Sequence, residues 1–238
     1  YQAFEGGHRV VLIEEAERLN LAAANALLKT LEEPSPGTYF ILLSDAPERL
    51  LPTIRSRCQL IRFSPLEVRL LQTLLQELHA LAEEEAAFIA RLSEGSLGRA
   101  EALIESELLG ERVELLETLD REARLQGVEG RLKRAEQLAK RPEEELRLLL
   151  HLLRSWFRDV LFCRHDLSGE VLVHRDREAQ LRARAEVLDE QGLRWRLEAL
   201  DEAERQLFDR HSDRRLILEN LFLYLGGGAA LFRRPLKL

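Results

Sequence analysis

Two hundred and thirty-eight residues, 45% hydrophobic and 32% charged, have a globular composition that excludes a disordered or collagen-like chain. At roughly 150 residues per domain this length allows one or two domains, or three small helical ones. The net charge of −7 argues against broad, sequence-independent wrapping of nucleic acid. Two cysteines, Cys58 and Cys163, are too few for a disulfide framework and fit a reducing compartment. No apolar run approaches the ~20 residues that span a bilayer, so the chain reads as cytoplasmic. The six histidines are scattered, with no cysteine at metal-ligand spacing, and no metal site is expected. Methionine is absent, and Tyr1 reads as an internal position of a longer protein.

In chain order, Val10-Val11-Leu12-Ile13 is a short apolar run, β-branched at three positions. It predicts a strand buried on both faces, as in a parallel sheet. Asn20 is a good N-cap for a helix over about 21–33, whose Leu21, Ala24, Leu27, Leu28 and Leu31 keep helical spacing. Pro34-Ser35-Pro36-Gly37 ends that helix and turns the chain. Tyr39 to Leu43 reads as a second buried strand, and Pro47 opens a short helical turn. Cys58 to Phe63 alternates apolar and polar residues and reads as a third strand nearer an edge. Strand, helix and strand with short connections imply parallel pairing in an α/β layer.

After Ser64-Pro65 the pattern becomes helical. Helices are expected near 66–81, 83–93 and 97–107, with an interruption at Gly95-Ser96. A further set follows Gly110, near 111–125, 130–140, 143–164, 178–190, 193–209 and 213–225. The helix after Pro142 carries acids 143–145 at its positive end and Leu149, Leu152, Trp156 and Val160 on one face. Leu218, Leu221, Phe222 and Leu225 form a last apolar stripe, which Gly226-Gly227-Gly228 stops. A tail from Leu231 carries Arg233, Arg234 and Lys237. The apolar stripes after Gly110 exceed what a thin helical layer buries on itself, and this predicts that the region carries assembly.

Chemistry enters at three places. The first strand ends in Glu14-Glu15, the shape of a Walker B element, where one acid organises water around Mg²⁺ and the next polarises the attacking water. Strands also commonly end in acids that simply meet solvent. Hydrolysis needs a phosphate cradle as well, and no glycine among the 238 residues is followed by lysine. Ser44 closes the second strand. Ser56-Arg57-Cys58 stands before the third. On their own residues, Arg57 is a surface arginine, Ser56 orients the turn and Cys58 packs beneath the strand.

The segment Ala23-Ala24-Asn25-Ala26-Leu27-Leu28-Lys29-Thr30-Leu31-Glu32-Glu33-Pro34, with Ser56-Arg57-Cys58 downstream, closely resembles the clamp-loader branch of the AAA+ family, the bacterial DNA polymerase III subunits gamma/tau and delta-prime. The resemblance implies an α/β remnant of an AAA+ P-loop NTPase base domain over 1–63. It implies two all-α domains after it, a small helical lid over 64–109 and a helical collar for oligomerisation over 110–225, then a tail over 226–238. It makes Ser56-Arg57-Cys58 a hallmark motif in which Arg57 reaches into the neighbouring subunit's ATP site as an arginine finger. Ser44 falls at the sensor-1 position, although a serine capping a turn accounts for it equally. Gly95-Ser96-Leu97-Gly98-Arg99-Ala100 resembles the sensor-2 region, where the motor subunits put arginine at the place of Gly98. Arg99, one residue on, is rotated about 100° around a helix and does not substitute for it. Glu14 stands where the motors carry the Mg²⁺-organising Asp. Asp213 to Leu221 is similar to a delta-prime collar motif, although an ordinary amphipathic helix reads the same way.

These departures resemble delta-prime, the non-hydrolysing member. The function implied is that of a stator in DNA replication, which completes the ring that opens the sliding clamp and places it on primed DNA. The implied partners are gamma/tau and delta subunits through the collar, with the clamp and primed DNA within the complex and no membrane. The expectation is no enzymatic activity and no cofactor in this chain alone, with ATP and Mg²⁺ belonging to a neighbouring subunit of the polymerase holoenzyme. The P-loop region and a zinc module are expected in the N-terminal part before Tyr1. The rival readings are a gamma/tau-type ATPase motor whose P-loop lies upstream, and a helical scaffold with no nucleotide link.

Overall fold

The computed structural model describes residues 7–120, 125–208 and 212–226. The expected tail beyond Gly226, with Arg233, Arg234 and Lys237, lies outside the described residues. The chain forms two compact units, Tyr1–Ser64 and Pro65–Leu238.

In the first unit, β1 (Arg9–Ile13) and β2 (Thr38–Leu42) pair in parallel, with Val10 opposite Tyr39 and Leu12 opposite Ile41. The ladder continues beyond the strands: Leu43 N–H donates to the Ile13 carbonyl and Ala16 N–H to the Leu43 carbonyl. The crossover between the strands is α1 (Leu21–Glu32), as the apolar spacing predicts. The Asn20 side chain accepts a hydrogen bond from Ala23 N–H at 2.9 Å, satisfying one of the free donors of the first turn. Of its predicted stripe, Ala24 is buried and Leu27, Leu28 and Leu31 are half-buried, while Leu21 faces solvent. Gly37, with φ 74°, makes the turn into β2. A short 3₁₀ turn at Pro47–Arg49 and α2 (Pro52–Arg55) follow.

Two expectations fail here. The strands are not buried on both faces: Val11, Ile13, Phe40 and Leu42 are half-buried, while Val10, Leu12, Tyr39 and Ile41 are exposed. One β–α–β crossover supplies a helix to only one face of its sheet. Nor do Cys58 to Phe63 form a strand. Alternation records which way side chains point, but a strand also needs a hydrogen-bonded neighbour, and among the described residues the sheet has two strands. Leu60, Ile61 and Phe63 are consequently exposed.

The second unit is helical throughout its described residues. Its first three helices are α3 (Val68–His79), α4 (Glu83–Leu92) and α5 (Leu97–Glu105). Ser93 to Ser96 make the predicted interruption between α4 and α5. Gly95 has φ 81°, and a Cβ there would stand 2.5 Å from the Pro65 side chain and 2.7 Å from the Leu66 backbone. Both the conformation and the close approach demand glycine. The other helices are α6 (Leu108–Asp120), α7 (Leu125–Leu138), α8 (Glu143–Arg164), α9 (Glu178–Val187), α10 (Glu190–Leu207) and α11 (Arg214–Gly226). Gly110, taken in the sequence as a boundary, lies inside α6, with open space around its Cα.

Helix α8 runs through the centre of this unit. Its Leu149, Leu152, Trp156 and Val160 are fully buried, as the stripe predicts. One continuous apolar core extends from Leu71 in α3 to Leu225 in α11. Arginines stitch the helix ends around it. Arg141 and Arg134 converge on Glu111 at 2.7 and 2.6 Å. Arg164 donates to the Ala185 and Leu188 carbonyls at the end of α9. Arg196 donates to the Gly192 and Leu225 carbonyls, and its burial pushes the guanidinium pKa down to about 10.

The stripe on α11 is not free for assembly. Leu218, Leu221, Phe222 and Leu225 are all fully buried within this unit. The expectation that apolar stripes are left over here is therefore corrected at these residues. The layer is thick enough to bury them because α7, α8 and α10 surround the same core.

Candidate functional site

Arg57 sits just past the C-terminus of α2, where a short helix directs the chain into an irregular turn. The Arg57 N–H donates to the Ile54 carbonyl, and Ile54 is the buried anchor of this turn. The Ser56 hydroxyl donates to the Thr53 carbonyl at 3.0 Å. The Arg57 side chain folds back along α2. Nη1 donates to the same Thr53 carbonyl at 3.0 Å, and Nη2 donates to Glu32 Oε1 at 2.6 Å. Arg57 and Glu32 side chains remain 36% and 49% exposed, so the guanidinium is held at the surface rather than buried. A guanidinium carries five N–H donors; these two bonds leave others for an anion. Cys58 is a half-buried free thiol, and among the described residues the strand it was expected to pack beneath is not formed.

Glu14 and Glu15 directly follow the last residue of β1. Glu14 is exposed there. Glu15 takes a left-handed conformation, φ 49°, which turns it to an ion pair with Arg18 at 3.0 Å. Ser44 at the end of β2 accepts from Ala46 N–H at 3.2 Å, the turn-capping alternative. It also hydrogen-bonds Glu17, which this bond holds below the usual carboxylate range. Glu17 was not singled out in the sequence, because nothing local distinguishes it from other surface acids. The arrangement brings Ser44 to Glu17 rather than to Glu14.

In the second unit, Ser96 caps α5 by accepting from Arg99 N–H at 3.2 Å. Gly98 has open space around it, and Arg99 points elsewhere, to Glu94 at 3.0 Å. The first turn of α5 therefore presents a bare glycine at 98, with the neighbouring Arg99 engaged by Glu94. No glycine among the 238 residues is followed by lysine, so these residues hold no Gly-Lys phosphate-binding pair.

A second polar cluster is buried between α4, α6, α8 and the turn before α9. Arg112 Nη2 donates to His174 Nδ1 at 3.0 Å, since a guanidinium can only donate. That fixes the imidazole proton on Nε2, which donates to Ser155 Oγ at 2.8 Å. The Ser155 proton goes to the Leu152 carbonyl. Asp159 accepts from His174 N–H at 2.7 Å, and Arg112 also pairs with Asp176. Phe88 and Trp156 close the cluster with their rings, Arg112 lying 3.7 Å from the Phe88 centroid. Serine and histidine are adjacent, but this is not a nucleophile and its base. The serine proton is engaged by a backbone carbonyl, no carboxylate meets the imidazole, and His174 is sealed from solvent. Burial, and then the Arg112 charge, depress the His174 pKa well below its ordinary value. The cluster is a structural joint.

Comparison with known proteins places this geometry. A family model described as DNA polymerase III, delta subunit, matches residues 1–67. One described as DNA polymerase III, delta subunit, C terminal, matches residues 106–226, just over half of the chain. The Escherichia coli DNA polymerase III subunit delta' is 44% identical over 102 residues, 43% of this chain and 30% of that protein. The Pseudomonas aeruginosa subunit delta' is 64% identical over 53 residues, 22% of this chain and 16% of that protein. The Escherichia coli subunit tau is 38% identical over 110 residues, 43% of this chain and 17% of that protein. The matches span less than a third of the length of these relatives. Among solved structures, a Bacillus subtilis DNA clamp loader delta protein aligns over 94% of this chain and 79% of its own, with 18% identity and a TM-score of 0.36. The model covering residues 106–226, together with these delta' relatives, shows that the chain belongs to the DNA polymerase III delta-subunit family.

Proposed function

We propose that this chain is part of a delta-prime-type clamp-loader subunit that acts as a stator in DNA replication. Its Arg57 would complete, in trans, the ATP site of a neighbouring ATPase subunit while the ring loads a sliding clamp onto primed DNA. The observation that carries this reading is Arg57 itself. It is a half-exposed guanidinium on an ordered turn, fixed by two hydrogen bonds and with donors to spare. Guanidinium suits the task because it stays charged and presents a planar fork to phosphate oxygens. In this reading residues 64–109 are the lid and 110–225 the collar. The partners are gamma/tau and delta subunits, the setting is the cytoplasm, and ATP and Mg²⁺ belong to the neighbour.

The match to tau favours a second reading, a motor subunit with its own nucleotide site. Glu14 at the Walker B position and the bare Gly98 weigh against it. The finger is tested in a reconstituted loader that contains the full-length protein. With Arg57→Ala, phosphate release stimulated by clamp and DNA is expected to fall while the complex still assembles. Arg57→Lys is expected to rescue poorly, since it keeps the charge and loses the fork. Wild-type release from both variants would overturn the proposal.

A further inference from the structure

Arg57 is not alone at its site. Glu32, the last residue of α1, lies 25 positions away in sequence and reaches across to it. A finger on a long side chain samples many rotamers, and ordering it must overcome that rotamer entropy. Here two contacts remove much of that freedom. The Thr53 carbonyl holds Nη1, and the Glu32 carboxylate holds Nη2 with a short charge-assisted bond. One comes from the backbone of α2 and the other from the side chain that ends α1, so the guanidinium is held from two elements at once. A single carboxylate oxygen engages Nη2, so the pairing is not the bidentate fork that would cover a whole guanidinium edge. The remaining N–H groups stay available. The exposure of both side chains matters too. An exposed carboxylate can share its partner with a phosphate without leaving a buried unpaired charge behind.

We infer that Glu32 is a positioning residue for Arg57, pre-organising the guanidinium for the neighbour's phosphates. The inference rests on the reading of Arg57 as a finger. Glu32 touches neither nucleotide nor reacting atoms; it acts through Arg57 alone. Removing it leaves the charge in place and loosens its aim, so the loss falls on turnover rather than on nucleotide affinity.

The test uses the reconstituted loader with the full-length protein. P-loop lysine substitutions silence every ATPase site except the one facing this subunit. Glu32→Ala is expected to lower kcat about five-fold, the scale of one exposed ion pair, with KM for ATP unchanged. Glu32→Gln, which keeps an acceptor of the same length, is expected to recover part of that loss. In an Arg57→Ala background, Glu32→Ala is expected to cause no further change, because nothing remains to position. If Arg57→Ala lowers turnover while Glu32→Ala does not, the positioning role is wrong and the finger stands. A Glu32→Ala loss of the same size with and without Arg57 also overturns it, since that marks a structural role. If Arg57→Ala itself changes nothing, the finger reading fails and this inference fails with it.

Discussion

His174 shows how much a single buried residue sets. It is neutral in the fold, with Arg112, Arg158 and Arg177 around it and Asp159 and Asp176 within the same cluster. Its folded pKa lies well below the ordinary 6.5, so as pH falls through ~6.5 the unfolded chain gains a proton that the fold refuses. Stability is therefore intact above that pH and is lost on acidification. His151, depressed by burial beneath the Leu92 carbonyl, acts in the same direction. Asp159 is shifted upward by burial and works oppositely, nearer its ordinary 3.8, where its protonation favours the fold. His174→Gln is predicted to cost stability at pH 7.5 but to flatten the decline between pH 7.5 and 5.5, as read by urea denaturation. An unchanged slope would assign the acid sensitivity elsewhere. Glycines give the second test at this scale. Gly95→Ala is predicted to cost at least ~1–3 kcal/mol, from its positive φ and the meeting with Pro65 and Leu66, whereas Gly98→Arg is predicted to leave the melting temperature within a degree or two. The arginine, histidine and serine chemistry of these sites was unevenly legible. Arg57 and Ser56 stood out through a motif. Glu32 was visible in that motif without a role, because an ion pair across 25 residues depends on how α1 and α2 meet. The Arg112–His174–Ser155 joint spans elements far apart in the chain and leaves no local pattern.

At the scale of elements, helices were read well and strands less so. α8 was placed residue for residue by its acidic first turn and apolar face, because helical period is a local property. The Cys58–Phe63 segment had the alternation of a strand, yet pairing is a property of two segments, and among the described residues no segment pairs with it. The stripe on α11 was identified correctly as apolar but assigned to the wrong partner, since periodicity gives a face and not what covers it. Two substitutions on this one helix separate the alternatives. Leu218→Asp puts a charge into a fully buried site and is predicted to unfold the second unit, with a loss above ~3 kcal/mol. Leu216→Asp, two residues away and 52% exposed, is predicted to leave the circular dichroism melt within ~0.5 kcal/mol of wild type. A Leu218→Asp protein that melts normally would contradict the core described here.

At the scale of the molecule, one unit carries the core and the other carries the candidate site. The first unit has only Ala16, Ala24 and Ile54 fully buried among its described residues, while the second encloses a core running from α3 to α11. Composition allowed from one to three domains, and residue patterns alone did not show that the helices from Pro65 onward share a single core. The division also fits the proposed division of labour, in which a helical body is held in a ring and the α1–α2 corner meets a neighbour. That proposal turns on Arg57 stabilising a transition state it does not itself contain. A finger binds the transferring phosphoryl group more strongly at the transition state than in the ground state. The most direct measurement is the affinity of the neighbouring site for ADP with aluminium fluoride, a transition-state mimic, in a loader carrying wild-type or Arg57→Ala protein. The account predicts that this affinity falls by about 10³ or more while the affinity for ADP alone holds. Equal affinities for the mimic in the two loaders, or a fall shared equally by ADP alone, would contradict it.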